Sequence, residues 1–515
     1  MTDTTTSAPS APVVSRRAWQ ALVVLLIGMF MALLDTTIVN VALPTIKTTL
    51  DASESTLSWI ISGYALAYGL ALIPAGRIGD RFGHKWVFFG GLALFTVASF
   101  ACGLAQDSTQ LIVARVVQGL AGGIFFPAVT AFIQILFPGR VRGKAFAIMG
   151  AVIGISTALG PLVGGLIIQG FGDTTGWRLV FGVNIPIGIV ALIAAVIILP
   201  KASESRGAAG GVDWLGLLLI SGGLVAILVP LIEGQDQGWP LWTYLSLAGG
   251  VVLIVLFALW EVSVTKRGGS PLVPPHLFSH ASFTGGTILA LVYFAAFTSI
   301  FFTISIFWQT GLGHTALESG FVSIPFAIGS IVGASQSNRL AAKLGRTVLV
   351  IGVGMVTVGL VALWIVLATV PVADLTNWAL LGPLLVAGVG SGLFVAPNAQ
   401  FIVATVDPQE AGAASGVIGT MQRIGSAIGI AVIGSVFFGT LSIAKPTAAQ
   451  IADAAKQHGA AGAQAVKNAI ADIAQHNVAL GFGHSAAAAL LVSAAFALVA
   501  FFLVFALPKK VNRGY

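Results

Sequence analysis

Charge is scarce in this sequence. Of 515 residues only 25 are Lys or Arg and 18 Asp or Glu, a share of 8%, against roughly 25% in an ordinary soluble protein. That excludes a water-soluble globular fold. Cysteine is nearly absent: the single Cys102 excludes a disulfide framework, and the seven histidines stand apart from it and from carboxylates at metal-ligand spacing. No metal site and no cofactor is therefore expected. A phosphate-cradling loop of the G-x-x-x-x-G-K-[ST] type is missing too, which leaves an ion gradient rather than a nucleotide as energy source. Catalytic constellations and a sizeable soluble segment are also lacking, which argues against a membrane enzyme or receptor.

What fills the chain is apolar. Hydrophobic residues make up 57% and the mean hydropathy is +0.97. Residues 86–106, 145–172, 179–200, 214–232, 237–260, 347–373 and 375–406 hold no charge, and a bilayer crossing takes about 20 apolar residues. Runs between charged or Pro/Gly/Asn-rich breaks predict fourteen spans, beginning near 19, 57, 86, 111, 144, 178, 214, 242, 281, 317, 347, 379, 412 and 485. The first run, from Ala18, continues through Asp35 to Pro44 with no polar cleavage region, so it reads as a retained span rather than a signal peptide.

An even count puts both termini on one side. With the N-terminus inside, eighteen Lys and Arg fall in cytoplasmic segments and five outside, namely Lys47, Arg178, Lys445, Lys456 and Lys467. Basic residues set topology in this way, so the net charge of +7 needs no nucleic acid partner. The predicted order is a cytoplasmic tail 1–18, six spans over 19–200, a cytoplasmic linker 201–213, two spans over 214–264, six more over 265–508 with an outer loop 442–484, and a cytoplasmic tail 509–515. In that outer loop Val466, Ile470 and Ile473 stand at helical spacing.

An internal repeat relates the outer groups of six. The loop after span 2 runs from Gly76 through Asp80, Arg81 and Gly83 to Lys85, and the loop after span 10 runs from Asn338 to Gly345 and Arg346 at an offset of 262, keeping glycine and basic residues but losing the acid. In spans 4 and 12, Gly119 to Phe125 matches Gly388 to Phe394 at an offset of 269. Paired helical halves around a midplane site are the architecture of secondary transporters.

Five stretches in order carry a more specific signal: Leu34 to Pro44 in span 1, Gly76 to Lys85, Arg115 to Gly119 in span 4, Gly160 to Gly165 in span 5, and Trp177 to Pro186 entering span 6. Together they resemble the major facilitator superfamily, and within it the drug:proton antiporter family with fourteen spans, over nearly the whole chain. The resemblance implies an all-α integral membrane protein of two six-helix halves with two inserted helices. It also implies a proton-coupling role for Asp35 and Arg115. Gly76, Gly79, Asp80, Arg81, Gly83 and Lys85 would form a conformational gate, and Gly160, Pro161, Gly164 and Gly165 the helix motif that marks exporters.

The residues carry readings of their own. Asp35 lies about 16 residues, roughly 24 Å, into span 1, and Arg115 about 6 Å inward from the outer edge of span 4, so their depths are compatible. Desolvation raises the pKa of such an acid and a nearby arginine lowers it, which leaves it able to exchange a proton; an ion pair that only braces the two spans is the competing structural role. Asp80 is suited to a neighbouring helix N-terminus, with Arg81 and Lys85 staying in the cytoplasm. Arg423, roughly 17 Å into span 13, has no acid of the second half at its depth, which leaves helix carbonyls or a negative group of a substrate as partners. Met31, Asn40, Gln118, Phe125, Trp308, Gln309, Asn398, Gln400 and Gln422 complete the candidate substrate cavity.

These readings predict a monomeric, proton-coupled antiporter exporting small lipophilic compounds, drugs or toxic metabolites, across the cytoplasmic membrane by alternating access. Its partners are the lipid bilayer and a small-molecule substrate. A dedicated exporter of one endogenous metabolite or lipid would carry the same motifs, whereas a passive uniporter would have no need of Asp35.

Overall fold

A computed structural model describes residues 14–52, 54–200, 213–234, 237–407, 410–458 and 463–508. The expected linker, apart from Asp213, most of the expected N-terminal tail and all of the expected C-terminal tail lie outside the described residues. Among the described residues fourteen helices are long and apolar enough to cross a membrane. Spans 1 to 6 are Arg16–Leu43, Trp59–Phe82, His84–Leu104, Ser108–Leu136, Val141–Gly172 and Thr174–Ile198. Spans 7 and 8 are Trp214–Leu231 and Leu241–Lys266, and spans 9 to 14 are Ala281–Gly311, Leu317–Leu344, Thr347–Thr369, Asn377–Val403, Ala411–Gly439 and Ala463–Ala506. No strand occurs among the described residues.

One expectation needs correction. The segment 442–484, expected as a loop, holds a helix at Ala448–His458 and the beginning of the 41-residue helix Ala463–Leu503. Alanine is the best helix former, so an Ala-rich insertion continues the helix of span 14 outward instead of looping. At 1.5 Å per residue that helix is about 60 Å long, roughly twice the hydrocarbon thickness of a bilayer.

The sequence repeat reappears as repeated backbone contacts. Gly83 and Gly345, equivalent in the two loops, both take positive φ, 92° and 56°, a conformation open to glycine and strained for other residues. A Cβ at Gly119 would run into the Tyr64 carbonyl oxygen and one at Gly123 into that of Tyr68. Their counterparts Gly388 and Gly392 meet the carbonyl oxygens of Phe326 and Ser330 in the same way. Lipid tails are as apolar as leucine, so helices in a bilayer are held by close packing, and small residues permit it.

Basic side chains close the helix ends. Lys85 Nζ donates to the Val196 and Leu199 carbonyls at 2.8 and 2.7 Å, and Arg346 of the second half does the same for Phe505 and Leu507. Arg178 Nη1 donates to Gly103 and Ala105 at 3.0 and 2.6 Å. Each places a positive charge on the carbonyls that a helix C-terminus leaves unpaired. Lys85 is thus buried at 7% exposure against the end of span 6, whereas its neighbour Arg81 is exposed.

The halves meet where span 2 touches span 13 and where span 5 touches spans 10 and 12, while spans 7 and 8 pair with each other and span 7 leans on spans 2 and 13. The end of the bundle where span 1 begins and span 14 finishes is called the terminal end below.

Candidate functional site

Asp35 is the only carboxylate deep within spans 1 to 6, Asp80 standing at the end of span 2, and the structure surrounds Asp35 with donors. Arg115 Nη1 binds Asp35 Oδ2 at 2.5 Å, and Oδ1 accepts from Gln118 Nε2 at 2.9 Å and from Asn184 Nδ2 at 2.8 Å. Ser99 Oγ accepts from the same two amides at 2.7 and 3.3 Å. Asp35, Ser99, Gln118 and Asn184 are 0% exposed and Arg115 1%, so the pair is shut off from bulk solvent. Spans 1, 3, 4 and 6 each supply one or two of these groups.

Arg115 is held on its other sides as well. Its Nη1 also donates to Gln118 Oε1 at 2.6 Å, its Nε to the Ile60 carbonyl at 3.1 Å, and its guanidinium carbon sits 4.1 Å from the centre of the Tyr64 ring. These secondary partners matter chemically. A carboxylate that takes up a proton stops being a pure acceptor, and Arg115 then retains a carbonyl, an amide oxygen and a ring face to rest on. The arrangement can therefore exist in a paired and an unpaired form.

Tyr64 leads out of this cluster. One turn further along span 2, Tyr68 lies 5.9 Å away ring to ring, and the guanidinium carbon of Arg423 sits 3.9 Å from the centre of the Tyr68 ring. Two arginines, one from each half, thus bracket two adjacent tyrosines. A tyrosine ring rather than a helix carbonyl is the observed support of Arg423, and among the described residues no carboxylate stands within salt-bridge distance of it.

At the terminal end a different acid crosses between the halves. Asp80 Oδ1 and Oδ2 accept from the Gly412 and Ala413 N–H groups, at 2.9 and 3.0 Å, and His84 Nε2 lies 3.2 Å from Oδ1. Helix Ala411–Gly439 begins there, so the carboxylate sits at the positive end of the helix dipole. Gly76 is required for the approach, because a Cβ would strike the Gly412 carbonyl, and at Gly79 it would strike His84. Gln134 and Gln400 add contacts to the Val406 and Gly143 carbonyls at 3.1 and 3.4 Å.

Span 5 uses its glycines on two sides. Gly160 and Gly164 abut Thr37 and Ile38 of span 1, just past Asp35, and Gly165 abuts Leu317 of span 10 in the other half. Pro161 and Leu162 abut Gly320.

Several expected cavity residues lie elsewhere. Phe125 is fully buried between Phe88 and Phe95, and Met31 is fully buried in the same core, because this half packs its large side chains inward. Gln118 belongs to the Asp35 cluster. Asn398 Nδ2 binds the Gly286 carbonyl inside the second half, Trp308 Nε1 binds Asn377 Oδ1, Gln309 binds Ser305 of its own helix, and Gln400 serves the terminal end. Asn40 is exposed and Gln422 half-buried beside Arg423. Asn184, Ser99 and Tyr64 are functional neighbours outside the sequence-based set. The first had a signal, an amide inside an otherwise apolar run; the other two had none.

Two related helical halves joined by few polar contacts, with a buried ion pair in one of them, define a multi-pass membrane transport protein and not an enzyme. The family model of the Major Facilitator Superfamily matches residues 25–430, and the chain belongs to that superfamily. It is 34% identical over 426 residues to the probable actinorhodin transporter of Streptomyces coelicolor, covering 82% of this chain and 73% of the relative. It is also 34% identical over 443 residues to the puromycin resistance protein of Streptomyces alboniger, covering 85% and 84%. The cephamycin export protein of Amycolatopsis lactamdurans is 31% identical, covering 81% and 84%. Among solved structures the proton:xylose symporter XylE superposes with a TM-score of 0.62 at 14% identity, covering 96% of both chains, a likeness of fold.

Proposed function

We propose that the protein exports small lipophilic compounds, antibiotics among them, in exchange for protons entering through Asp35. The terminal end is then cytoplasmic, the orientation that the distribution of basic residues favours. The observation that carries the reading is the fully buried Asp35–Arg115 pair with three donors on one carboxylate. Removing charges from water is costly, and replacing a buried pair by apolar residues often leaves a protein as stable or more so. An acid kept there, beside an arginine with alternative partners, suits proton exchange.

Protonation of Asp35 frees Arg115 from its counter-charge. Span 2 carries the Tyr64 and Tyr68 rings between that arginine and the seam, and the same helix holds Asp80 at the terminal end, so a shift of span 2 alters both contacts between the halves. Span 5 closes against span 10 through Gly165 and Gly320. The superfamily membership and the export and resistance names of the relatives support the substrate class.

The test is purified protein in liposomes containing a trapped pH dye, with a pH gradient imposed. Puromycin and other lipophilic antibiotics should release lumenal protons with the wild-type protein and leave them in place with Asp35→Asn. Substrate movement that ignores the gradient would refute antiport and favour a uniporter.

A further inference from the structure

We infer that Arg423, seated on Tyr68, is a binding subsite for an anionic group, a carboxylate or an ionised phenol, of a flat aromatic substrate. This deepens the export reading and rests on it.

Arg423 lies near the middle of span 13, in the seam where that helix meets span 2. A guanidinium at such depth is costly unless paired, and intramembrane charges that line a pathway mark what passes along it. Asp35 is taken by Arg115, Asp80 at the end of span 2 is taken by the Gly412 and Ala413 N–H groups and His84, and no other acid lies within spans 2 to 6 or 9, nor deep within spans 10 to 14. Tyr68 offers its ring face at 3.9 Å, which steadies a cation without neutralising it. Tyr68 itself is 1% exposed, whereas Arg423 is half-buried, so the arginine is the accessible member of the pair.

The surroundings favour a flat partner. Gly69 of span 2 lies against the Arg423 Cβ and Leu228 of span 7, and Gly419 of span 13 lies against the Leu72 side chain of span 2, so the two helices approach closely beside Arg423. Thr298 and Ser426, which bond each other at 2.8 Å between spans 9 and 13, are half-buried one turn away. On span 9, Phe294 and Phe301 are half-buried next to Phe297. A planar guanidinium binds a carboxylate through two parallel N–H bonds while its face stays stacked on a ring. An aromatic body joined to an acidic group matches that set.

The experiment is equilibrium binding to the full-length protein in lipid nanodiscs, read by tryptophan quenching. The probes are anthraquinone-2-carboxylate and anthraquinone-2-carboxamide, which share shape and differ in charge. Wild-type protein should bind the carboxylate on the order of tenfold more tightly, the size of a charge-assisted bond. Arg423→Gln should erase that ratio while leaving carboxamide affinity within about twofold, and Arg423→Lys should keep part of it. Equal affinity for the two probes in the wild type overturns the proposal, as does an unchanged ratio in Arg423→Gln. Loss of both probes together in that variant also overturns it, because Arg423 would then be a packing residue. No gradient is present, so a failure of proton coupling leaves this result untouched. An absent charge preference likewise leaves proton exchange through Asp35 standing.

Discussion

Asp80→Asn tests whether one carboxylate holds the terminal end together. Both Asp80 oxygens accept from the first N–H groups of span 13, at 2.9 and 3.0 Å. An asparagine of the same shape keeps one acceptor and turns an NH2 group toward the other N–H, so one charge-assisted bond is lost. Such a bond is worth about 1.5 to 3 kcal/mol, and the charge at a helix N-terminus about 0.3 to 1 kcal/mol. The two terms describe overlapping physics, so about 2 kcal/mol is a fair figure for the substitution. It acts only in the conformer in which spans 2 and 13 touch. At about 1.4 kcal/mol per factor of ten, the equilibrium shifts roughly 30-fold toward separation. A population of about 30 to 1 in favour of contact would become about even. Spin labels on cysteines replacing Phe82 and Lys343, both exposed at the terminal end of opposite halves, report the separation. The buried Cys102 is replaced by alanine in that background. A distance distribution that Asp80→Asn leaves unchanged would refute the reasoning.

Asp35→Asn should abolish proton-driven export while the protein still folds. Arg115 loses its counter-charge, which costs about 3 to 5 kcal/mol when a buried pair is broken, so adding Arg115→Met should recover part of the lost thermal stability, read by thermal unfolding in detergent. Gly119→Ala and Gly388→Ala should each lower the melting temperature, as overpacking costs about 1 to 3 kcal/mol; Gly90→Ala, where a Cβ meets nothing within 4 Å, should not. Among matched dyes, monocations should be exported better than dications in competition assays. The acids buried at the inserted spans do not alter that expectation, since Glu261 Oε2 is bound to the Val273 N–H at 3.0 Å and Glu233, beyond the end of span 7, accepts from Gln237 at 3.2 Å.

The fourteen spans were legible because hydropathy is written residue by residue, and the repeat because glycine is needed wherever backbones touch. Gly119 and Gly388 announce a close approach in the sequence, and the carbonyls they meet confirm it. What the sequence concealed was lateral direction. Depth along a helix follows from counting residues, so Asp35 and Arg115 could be matched in advance. Which neighbour a side chain faces depends on helix rotation and crossing, which no count supplies. That is why Gln118, one turn from Arg115, reads from the sequence as cavity lining although it binds Asp35, and why nothing in the sequence points Lys85 at the end of span 6. The outer helices at 448–458 and 463–480 are legible only in part: Val466, Ile470 and Ile473 stand at helical spacing, but that spacing and alanine propensity are weak signals beside the expectation of a loop between spans.

The two halves provide an internal control on what the Asp35 cluster does for stability. Glycines of span 4 lie against span 2 as those of span 12 lie against span 10, contact for contact. Chemistry is not repeated with them. At the position equivalent to Arg115 the second half has Leu384, and in place of Tyr64 it has Phe326. Phe326 meets Phe297 and Phe301 of span 9 at 5.7 and 5.1 Å between ring centres. An apolar filling thus holds the same helix arrangement together without any buried charge. If bracing were the purpose of Asp35 and Arg115, this alternative would serve it without the desolvation cost of two ions. The first half keeps the costlier solution at one depth, with three donors on one carboxylate and a line of rings leading to the seam. A charged cluster that the fold does not require is the place to expect the proton.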